Sequence, residues 1–128
     1  MILVTVCLPL IAFAAQANYD GTFIDCPYGE FQVAQVQFTG KYLSLSAAAM
    51  PGTVSGATSV TVTIKKKDWL GGFSQVVATR TIPLDSVGYA IAVGSSIPTN
   101  QPVQILVKVN GTNQNATANV SISAYSFN

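Results

Sequence analysis

The sequence predicts an all-β fold in a single domain. Apolar and polar residues alternate along most of the chain after residue 20, which is the pattern of half-buried β-strands. No segment in that part shows the periodicity of an amphipathic helix. The length of 128 residues suits one hydrophobic core. Short strands at this spacing indicate two packed antiparallel sheets, so we expect a single immunoglobulin-like β-sandwich with an apolar N-terminal extension.

The first strands of the sandwich are expected in the segments EFQVAQVQF and KYLSLS. The first segment predicts a strand with a bulge near Ala34, because the parity of its apolar residues changes there. The second places two leucines on one face. The stretch of small residues that follows, 47–59, is expected to form a connection that crosses between the sheets.

The middle of the chain predicts a β-hairpin. In the segment SVTVTIKK the apolar β-branched residues share one parity, as in a strand with one buried face. Gly71 and Gly72 suit the tight turn that follows. The return strand is expected over residues 75–82, before Pro83, which has no N–H to donate to a sheet ladder.

The C-terminal part is expected to contribute three further strands. The segment YAIAV, residues 89–93, forms a short strand, and VQILVKV forms the next. The loop NGTNQN predicts a second hairpin, because its Asn110-Gly111 pair readily adopts positive φ angles. In the last strand, four residues are expected to point inward: Ala118, Val120, Ile122 and Ala124.

The composition argues against an enzyme and against a nucleic-acid-binding protein. Charged residues make up 9% of the chain, compared with roughly 25% in ordinary domains, and the net charge is +1. Nucleic-acid binding needs clustered basic residues, and the one basic run, 65–67, is expected to be a solvated strand end. Histidine is absent, the acidic residues are scattered, and no nucleophile or phosphate-binding motif occurs. We therefore expect no catalytic residue, no metal site and no cofactor.

Three N-x-S/T sequons lie close together near the C-terminus, at Asn110, Asn115 and Asn119. Each places an amide nitrogen near a hydroxyl, which is the pattern that an oligosaccharyltransferase recognises. The alternative is that these residues are ordinary polar residues of a hairpin. We expect at least one of them to carry an N-glycan, which would help to solubilise a surface with few charges. The protein is therefore expected to be extracellular.

The two cysteines, Cys7 and Cys26, allow two interpretations. They can form a disulfide in an oxidising compartment, or they can remain buried thiols that behave as small apolar residues. Their spacing does not decide between the two, and the buried thiol is the interpretation we prefer. A metal site made of two thiols without histidine is not expected.

The N-terminal stretch MILVTVCLPLIAFAAQANYDG has four interpretations, three of which have specific difficulties. A secretory signal matches the apolar core and the Ala-Gln-Ala cleavage pattern at residues 15–17, but the basic start is missing. A membrane-spanning helix needs about 20 apolar residues, and this stretch has roughly 15. A type IV pilin-like stalk is generally a longer helix, which Pro9 would interrupt.

The fourth interpretation, a β-strand that stays in the mature protein, is the one the sequence favours. β-Branched residues are plentiful and both faces are apolar, so the strand cannot lie free in water. Inserted into the open groove of a neighbouring sandwich, it would bury its side chains and gain ladder hydrogen bonds. We therefore expect residues 1–17 to be a donor strand for a neighbour and residues 18–128 to be the sandwich. The side chains expected to fill the groove share one parity: Val4, Val6, Leu8 and Leu10.

This layout resembles the subunits of archaeal extracellular filaments and related donor-strand pili. Those proteins combine an apolar N-terminal tail, a sandwich of low charge rich in Thr and Val, and several glycosylation sites. The resemblance covers the whole chain as a pattern. It implies a structural subunit of a cell-surface or virion-surface filament, a head-to-tail homopolymer whose partner is the chain itself. It implies neither a nucleic-acid partner nor a stable membrane span in the assembled state.

Two alternative functions accompany this expectation. The first is a type IV pilin-like subunit with a short N-terminal helix. The second is a secreted monomeric sandwich that binds carbohydrate through its aromatic residues and loses residues 1–17 as a signal peptide. The aromatic residues considered for that role are Trp69, Phe73 and Tyr125, of which the first two are expected to cover the end of the hairpin core.

Overall fold

The computed structural model describes residues 11–14, 16–25, 30–40, 42–84, 89–96, 101–112 and 115–127. Nine β-strands make up most of this part of the chain. Their bounds are β1 Ile11–Ala14, β2 Gln16–Ile24, β3 Phe31–Phe38, β4 Tyr42–Pro51, β5 Ala57–Lys67, β6 Phe73–Pro83, β7 Tyr89–Ser96, β8 Val103–Gly111 and β9 Thr117–Phe127. Within the ranges described, no helix has the length and apolar character needed to cross a membrane.

The strands form two sheets. The first sheet has the order β1-β3-β8-β5-β6 and the second has the order β2-β9-β4-β7. All neighbouring strands are antiparallel except β1 and β3, which are parallel. The all-β sandwich expected from the sequence is confirmed.

The connectivity is that of a jelly roll. Strands β2 to β9 pair as four nested couples, in which β2 lies beside β9, β3 beside β8, β4 beside β7 and β5 beside β6. An immunoglobulin-like sandwich would instead have two sheets with the strand orders A-B-E-D and C-F-G. The chain behaves as one long hairpin rolled over a core, which is how eight strands make a double-sheet jelly roll. The immunoglobulin-like connectivity expected from the sequence is therefore corrected to a jelly roll.

The core lies between the sheets and consists of apolar side chains, most of them aliphatic. Its members come from the alternating positions that the sequence predicts to face inward. The largest fully buried side chains are Phe38, Leu43, Leu45, Ile64, Ile82, Ile105 and Ile122, together with Val36, Val60, Val62, Val103 and Val107. In β9 the four residues predicted to point inward are all buried. A fully buried aliphatic side chain contributes about 1.5–3 kcal/mol, so this layer supplies most of the stabilising free energy.

Of the predicted bulge and the two predicted hairpins, the structure confirms the bulge and the first hairpin. The register of β3 against β8 shifts between Gln32 and Ala34, which confirms the predicted bulge. The predicted β5–β6 hairpin is also present, and its return strand begins at Phe73. The second hairpin is wrong, because β8 and β9 lie in different sheets. The expected sheet crossing after β4 is present, although β4 itself extends to Pro51.

Candidate functional site

Within the ranges given above, no three His, Cys, Asp or Glu residues lie close enough to hold a metal ion. Lys65 and Glu30 form an ion pair at 3.2 Å between Nζ and Oε1 on the surface. The candidate sites considered are sites of interaction or modification: the N-terminal edge, the sequons and the exposed aromatic residues.

Strand β1 lies on an outer edge of the first sheet. Its register with β3 runs from Ile11 opposite Gln35 to Ala14 opposite Phe38. Among the described strands, β1 is paired with β3 alone, and β3 is paired on its other side with β8. The four nested couples are complete without β1, so this strand is an addition to a finished jelly roll. The residues proposed for the polymerisation strand, Val4, Val6, Leu8 and Leu10, lie outside the described residues.

Strand β2 follows β1 after a single residue and belongs to the other sheet. It pairs with β9 over its whole length, from Gln16 opposite Tyr125 to Ile24 opposite Thr117. The second sheet thus includes residues 16 and 17, two positions before the expected start of the sandwich. Cys7 and Cys26 both lie outside the described residues.

The three sequons occupy different environments. Asn119 lies on the outer face of β9 and is exposed, and its Oδ1 accepts a hydrogen bond of 2.7 Å from the Thr22 hydroxyl. Ser121, the hydroxyl residue of the same sequon, is exposed on the same face. Asn115 is also exposed, and its φ of 71° places it in a left-handed turn that leads into the second sheet. Both asparagines present their side chains to solvent.

Asn110 is instead part of the first sheet. It lies in β8, and its Nδ2 donates to Ser59 Oγ at 3.1 Å and to Thr61 Oγ1 at 3.0 Å. Its Oδ1 accepts a hydrogen bond of 3.0 Å from Lys108 Nζ. The side chain that the sequence places in a hairpin loop therefore joins β8 to β5.

The turn between β5 and β6 is the most exposed apolar feature in the described part of the chain. Trp69 is 88% exposed and Leu70 is 74% exposed, so the expectation that Trp69 covers the hairpin core is wrong. Asp68 organises the turn, because its Oδ1 accepts hydrogen bonds from the backbone N–H groups of Leu70 and Gly72 at 2.8 and 3.0 Å. Its Oδ2 accepts a third from the Ser74 hydroxyl.

These contacts fix both the charge of Asp68 and the shape of the turn. The Ser74 hydroxyl, followed by the backbone N–H groups of the turn, holds the pKa of the Asp68 carboxyl below its usual range. Gly71 has a φ of +90°, a conformation that glycine adopts without strain. The turn therefore holds the apolar side chains of Trp69 and Leu70 in exposed positions.

The aromatic residues considered for carbohydrate binding do not form one site. Phe73 is half-buried beside Lys67, whose Nζ lies 5.7 Å from the ring centroid. Tyr125 lies on the outer face of the second sheet, where it contacts Phe127, and Phe127 stacks on Tyr42 at 5.6 Å between centroids. Sequence parity indicates that Tyr125 and Phe127 share a face, but only the β4–β9 register brings Tyr42 beside them.

Comparison with solved structures finds a similar fold in a chain of low sequence identity. The glycoside hydrolase family 43 arabinoxylan arabinofuranohydrolase from Bacillus subtilis, in complex with cellotetraose, matches with a TM-score of 0.51 and 13% identity over 98% of this chain. The disulfide-linked pili of Bacillus endospore appendages match with a TM-score of 0.46 and 12% identity, over 99% of this chain and 100% of that one. Infectious bursal disease virus, Gt strain, matches with a TM-score of 0.45 and 15% identity over 88% of this chain.

The similarity to the hydrolase concerns the fold alone. This chain spans 29% of the hydrolase chain and 32% of the viral chain. No protein-family model matches the sequence, and no curated protein matches it.

Proposed function

We propose that this chain is a structural subunit of an extracellular filament, and that its N-terminal segment is the strand that joins one subunit to the next. The observation that carries the proposal is the position of β1, an extra strand on the edge of a jelly roll whose eight other strands are already paired. An edge strand presents unpaired N–H and C=O groups that a further strand satisfies. The edge of β3 is therefore a ready acceptor for an N-terminal strand.

The same strand can be supplied by either of two subunits. One residue, Ala15, separates β1 from β2, and β1 makes no ladder within the described strands other than that with β3. When identical subunits exchange such a strand, every contact is kept, and the strand comes from a neighbouring subunit instead of the same one. Because donor and acceptor are different surfaces, the exchange is heterologous and repeats head to tail.

The apolar character of residues 2–10 supports a role at the subunit contact. A segment that is apolar on both faces needs cover on both faces, which an added strand on one sheet edge obtains most readily from a second subunit. Each Val or Leu that becomes fully buried contributes about 1.5–3 kcal/mol. The archaeal-type resemblance, the insertion into a groove and the glycans belong to this proposal as predictions.

A charge in the N-terminal segment should abolish assembly. Leu8→Asp would place an ionised carboxylate in an apolar contact, which costs several kcal/mol, and the loss recurs at every junction. We expect negative-stain microscopy to show filaments from the unmodified chain and none from Leu8→Asp. Thr5→Ser is the matched control, because it keeps the hydroxyl and removes one methyl group.

The same material distinguishes the alternatives. Intact-mass spectrometry of purified filaments should show that residues 2–15 are present. A mature N-terminus at Asn18, or normal filaments from Leu8→Asp at equal yield, would contradict the proposed role of the N-terminal strand. A monodisperse protein that lacks residues 1–17 would support the secreted monomer instead.

A further inference from the structure

We propose that the turn between β5 and β6 is a membrane-docking tip that inserts Trp69 and Leu70 into the interface of an anionic lipid surface. The tip is defined as residues 68–72. The four residues after Asp68 are all exposed, and the two with large apolar side chains are adjacent. This inference is independent of the filament proposal. It rests on the exposed side chains of the tip, whereas the filament proposal rests on β1 and the edge of β3.

The tip is held in shape before any partner arrives. Asp68 accepts three hydrogen bonds from within the turn, and the backbone adds two more: Asp68 N–H donates to Gly72 O at 2.7 Å, and Gly71 N–H donates to Asp68 O at 3.0 Å. Exposure of Trp69 and Leu70 is thus built into the turn and is not the result of a loose loop. Little conformational entropy remains to be lost when the tip binds.

The size and shape of the tip favour a lipid surface over a second protein. A stable protein interface buries about 800 Å² on each partner, whereas one aromatic side chain covers about 150–250 Å². A protruding pair of side chains would need a matching recess on a protein partner. A bilayer interface needs no such complementarity, and tryptophan is enriched there because its ring is apolar and its N–H can remain hydrated.

The charges beside the tip indicate the kind of lipid. Lys66 and Lys67 are the last residues of β5 and stand directly before the turn, both partly exposed. The Asp68 carboxylate is occupied by donors of the turn, and Lys65 is paired with Glu30. Long lysine side chains can extend from an inserted tip to the headgroup layer. Phosphate-bearing anionic headgroups are therefore the expected partners of Lys66 and Lys67.

The chain carries its own reporter for this test, because Trp69 is its single tryptophan. The full-length protein is mixed with vesicles of equal parts phosphatidylglycerol and phosphatidylcholine, and with vesicles of phosphatidylcholine alone. We expect the Trp69 emission to shift to shorter wavelength with the anionic vesicles and to be quenched when the acyl chains are brominated. Added salt should reverse most of the shift.

Three variants and one control make the result specific. Leu70→Ser should weaken vesicle binding about tenfold, because it removes one large apolar side chain from the tip. Lys66→Gln and Lys67→Gln should each weaken it about fivefold on anionic vesicles only. Val54→Ser changes an exposed apolar residue outside the tip and should leave binding unchanged. Circular dichroism checks that each variant is folded.

Three outcomes would overturn the proposal. The first is vesicle co-sedimentation without any change in Trp69 emission, which would place the lipid contact elsewhere in the chain, for example in the apolar N-terminal segment. The second is a shift of Trp69 emission with rising protein concentration in the absence of lipid, which would make a second copy of the chain the partner. The third is equal binding by the unmodified protein and Leu70→Ser.

Discussion

At the scale of the residue, the three sequons show how one sequence pattern can be placed in unlike surroundings. Asn119 projects from the outer face of β9 and uses only its Oδ1 in the hydrogen bond with Thr22. Asn110 uses its Nδ2 for two hydrogen bonds that tie β8 to β5. The nitrogen to which a glycan would be attached is thus engaged in one case and directed to solvent in the other.

Glycopeptide mapping of native material should therefore find sugar at Asn119 or Asn115, and not at Asn110. A glycan on Asn110 Nδ2 would remove at least one of its two hydrogen bonds and separate the side chains of β8 and β5, at a cost of about 0.5–1.5 kcal/mol for each bond lost. Ser121→Ala is the matched control, since it destroys the sequon of Asn119 without altering the asparagine. Sugar on Asn110 alone would contradict this order of preference.

At the scale of the element, the β5–β6 hairpin is held along its whole length. The Thr61 and Thr81 hydroxyls lie 3.0 Å apart, and those of Thr63 and Thr79 lie 3.2 Å apart. At the end of the hairpin, Asp68 Oδ1 accepts hydrogen bonds from the N–H groups of Leu70 and Gly72. Cross-strand hydroxyl pairs of this kind contribute roughly 0.2–1 kcal/mol each. The hairpin is therefore ordered from the middle of the sheet to the tip.

The order of the turn should depend on pH through Asp68. Because the folded pKa of this carboxyl lies below its unfolded value, its contribution is complete above about pH 4 and is lost as the pH falls through the lowered pKa. We expect the fluorescence anisotropy of Trp69 to decrease over that acid range. In Asp68→Asn this transition should be absent, because the amide does not titrate and its Oδ1 can still accept from the N–H groups of Leu70 and Gly72. An acid transition of equal size in Asp68→Asn would assign it to another group.

The elements themselves were predictable from the sequence because burial has a period of two in a strand. Alternation identified the inward residues of β5 and β9, and the change of parity in β3 identified its bulge. Alternation does not identify the partner of a strand, since the ladder is formed by backbone groups that every residue except proline carries in full. The Asn110-Gly111 pair indicated a hairpin, but Asn110 pairs with Ser59 of β5, and the chain crosses to the second sheet at Asn115.

The sequence does not predict the exposure of the tip either. A tryptophan beside a turn is usually expected to cover apolar neighbours, and the local sequence around Trp69 gives no contrary sign. Its exposure follows from the hydrogen bonds of Asp68, which set the direction of the turn in space. Gly71 and Gly72 indicate the turn in the sequence, but they do not predict the hydrogen bonds of Asp68.

At the scale of the whole molecule, the low net charge and the extra edge strand β1 are both compatible with the proposed filament. The net charge of +1 leaves little electrostatic repulsion between copies packed closely along a fibre. The second sheet presents short polar side chains on its outer face, among them Asn18, Ser46 and Ser123. Such a surface stays hydrated without many charges. In the proposed filament, the N-terminal strand would supply the directional contact.

Mixed assembly should reveal which subunit supplies β1. In a background of Cys7→Ser and Cys26→Ser, one preparation carries Phe13→Cys and another carries Gln37→Cys, because residues 13 and 37 are partners in the register. If filaments form by exchange, co-assembly followed by oxidation should give a disulfide-linked heterodimer. Gln32→Cys, which lies outside that register on the same strand, is the control. Equal yields of heterodimer with Gln32→Cys would contradict the β3 acceptor.

The nested pairing also determines when the molecule can fold. Among the described strands, β9 alone links β2 to β4, and its Tyr125 pairs with Gln16 across almost the entire chain. Contacts so distant in sequence must close a long loop before they repay its entropy, which makes folding slow. Until β9 has been synthesised, β2 lacks the one partner that the described strands give it in its sheet. The last of the nine described strands is thus the one that completes the second sheet.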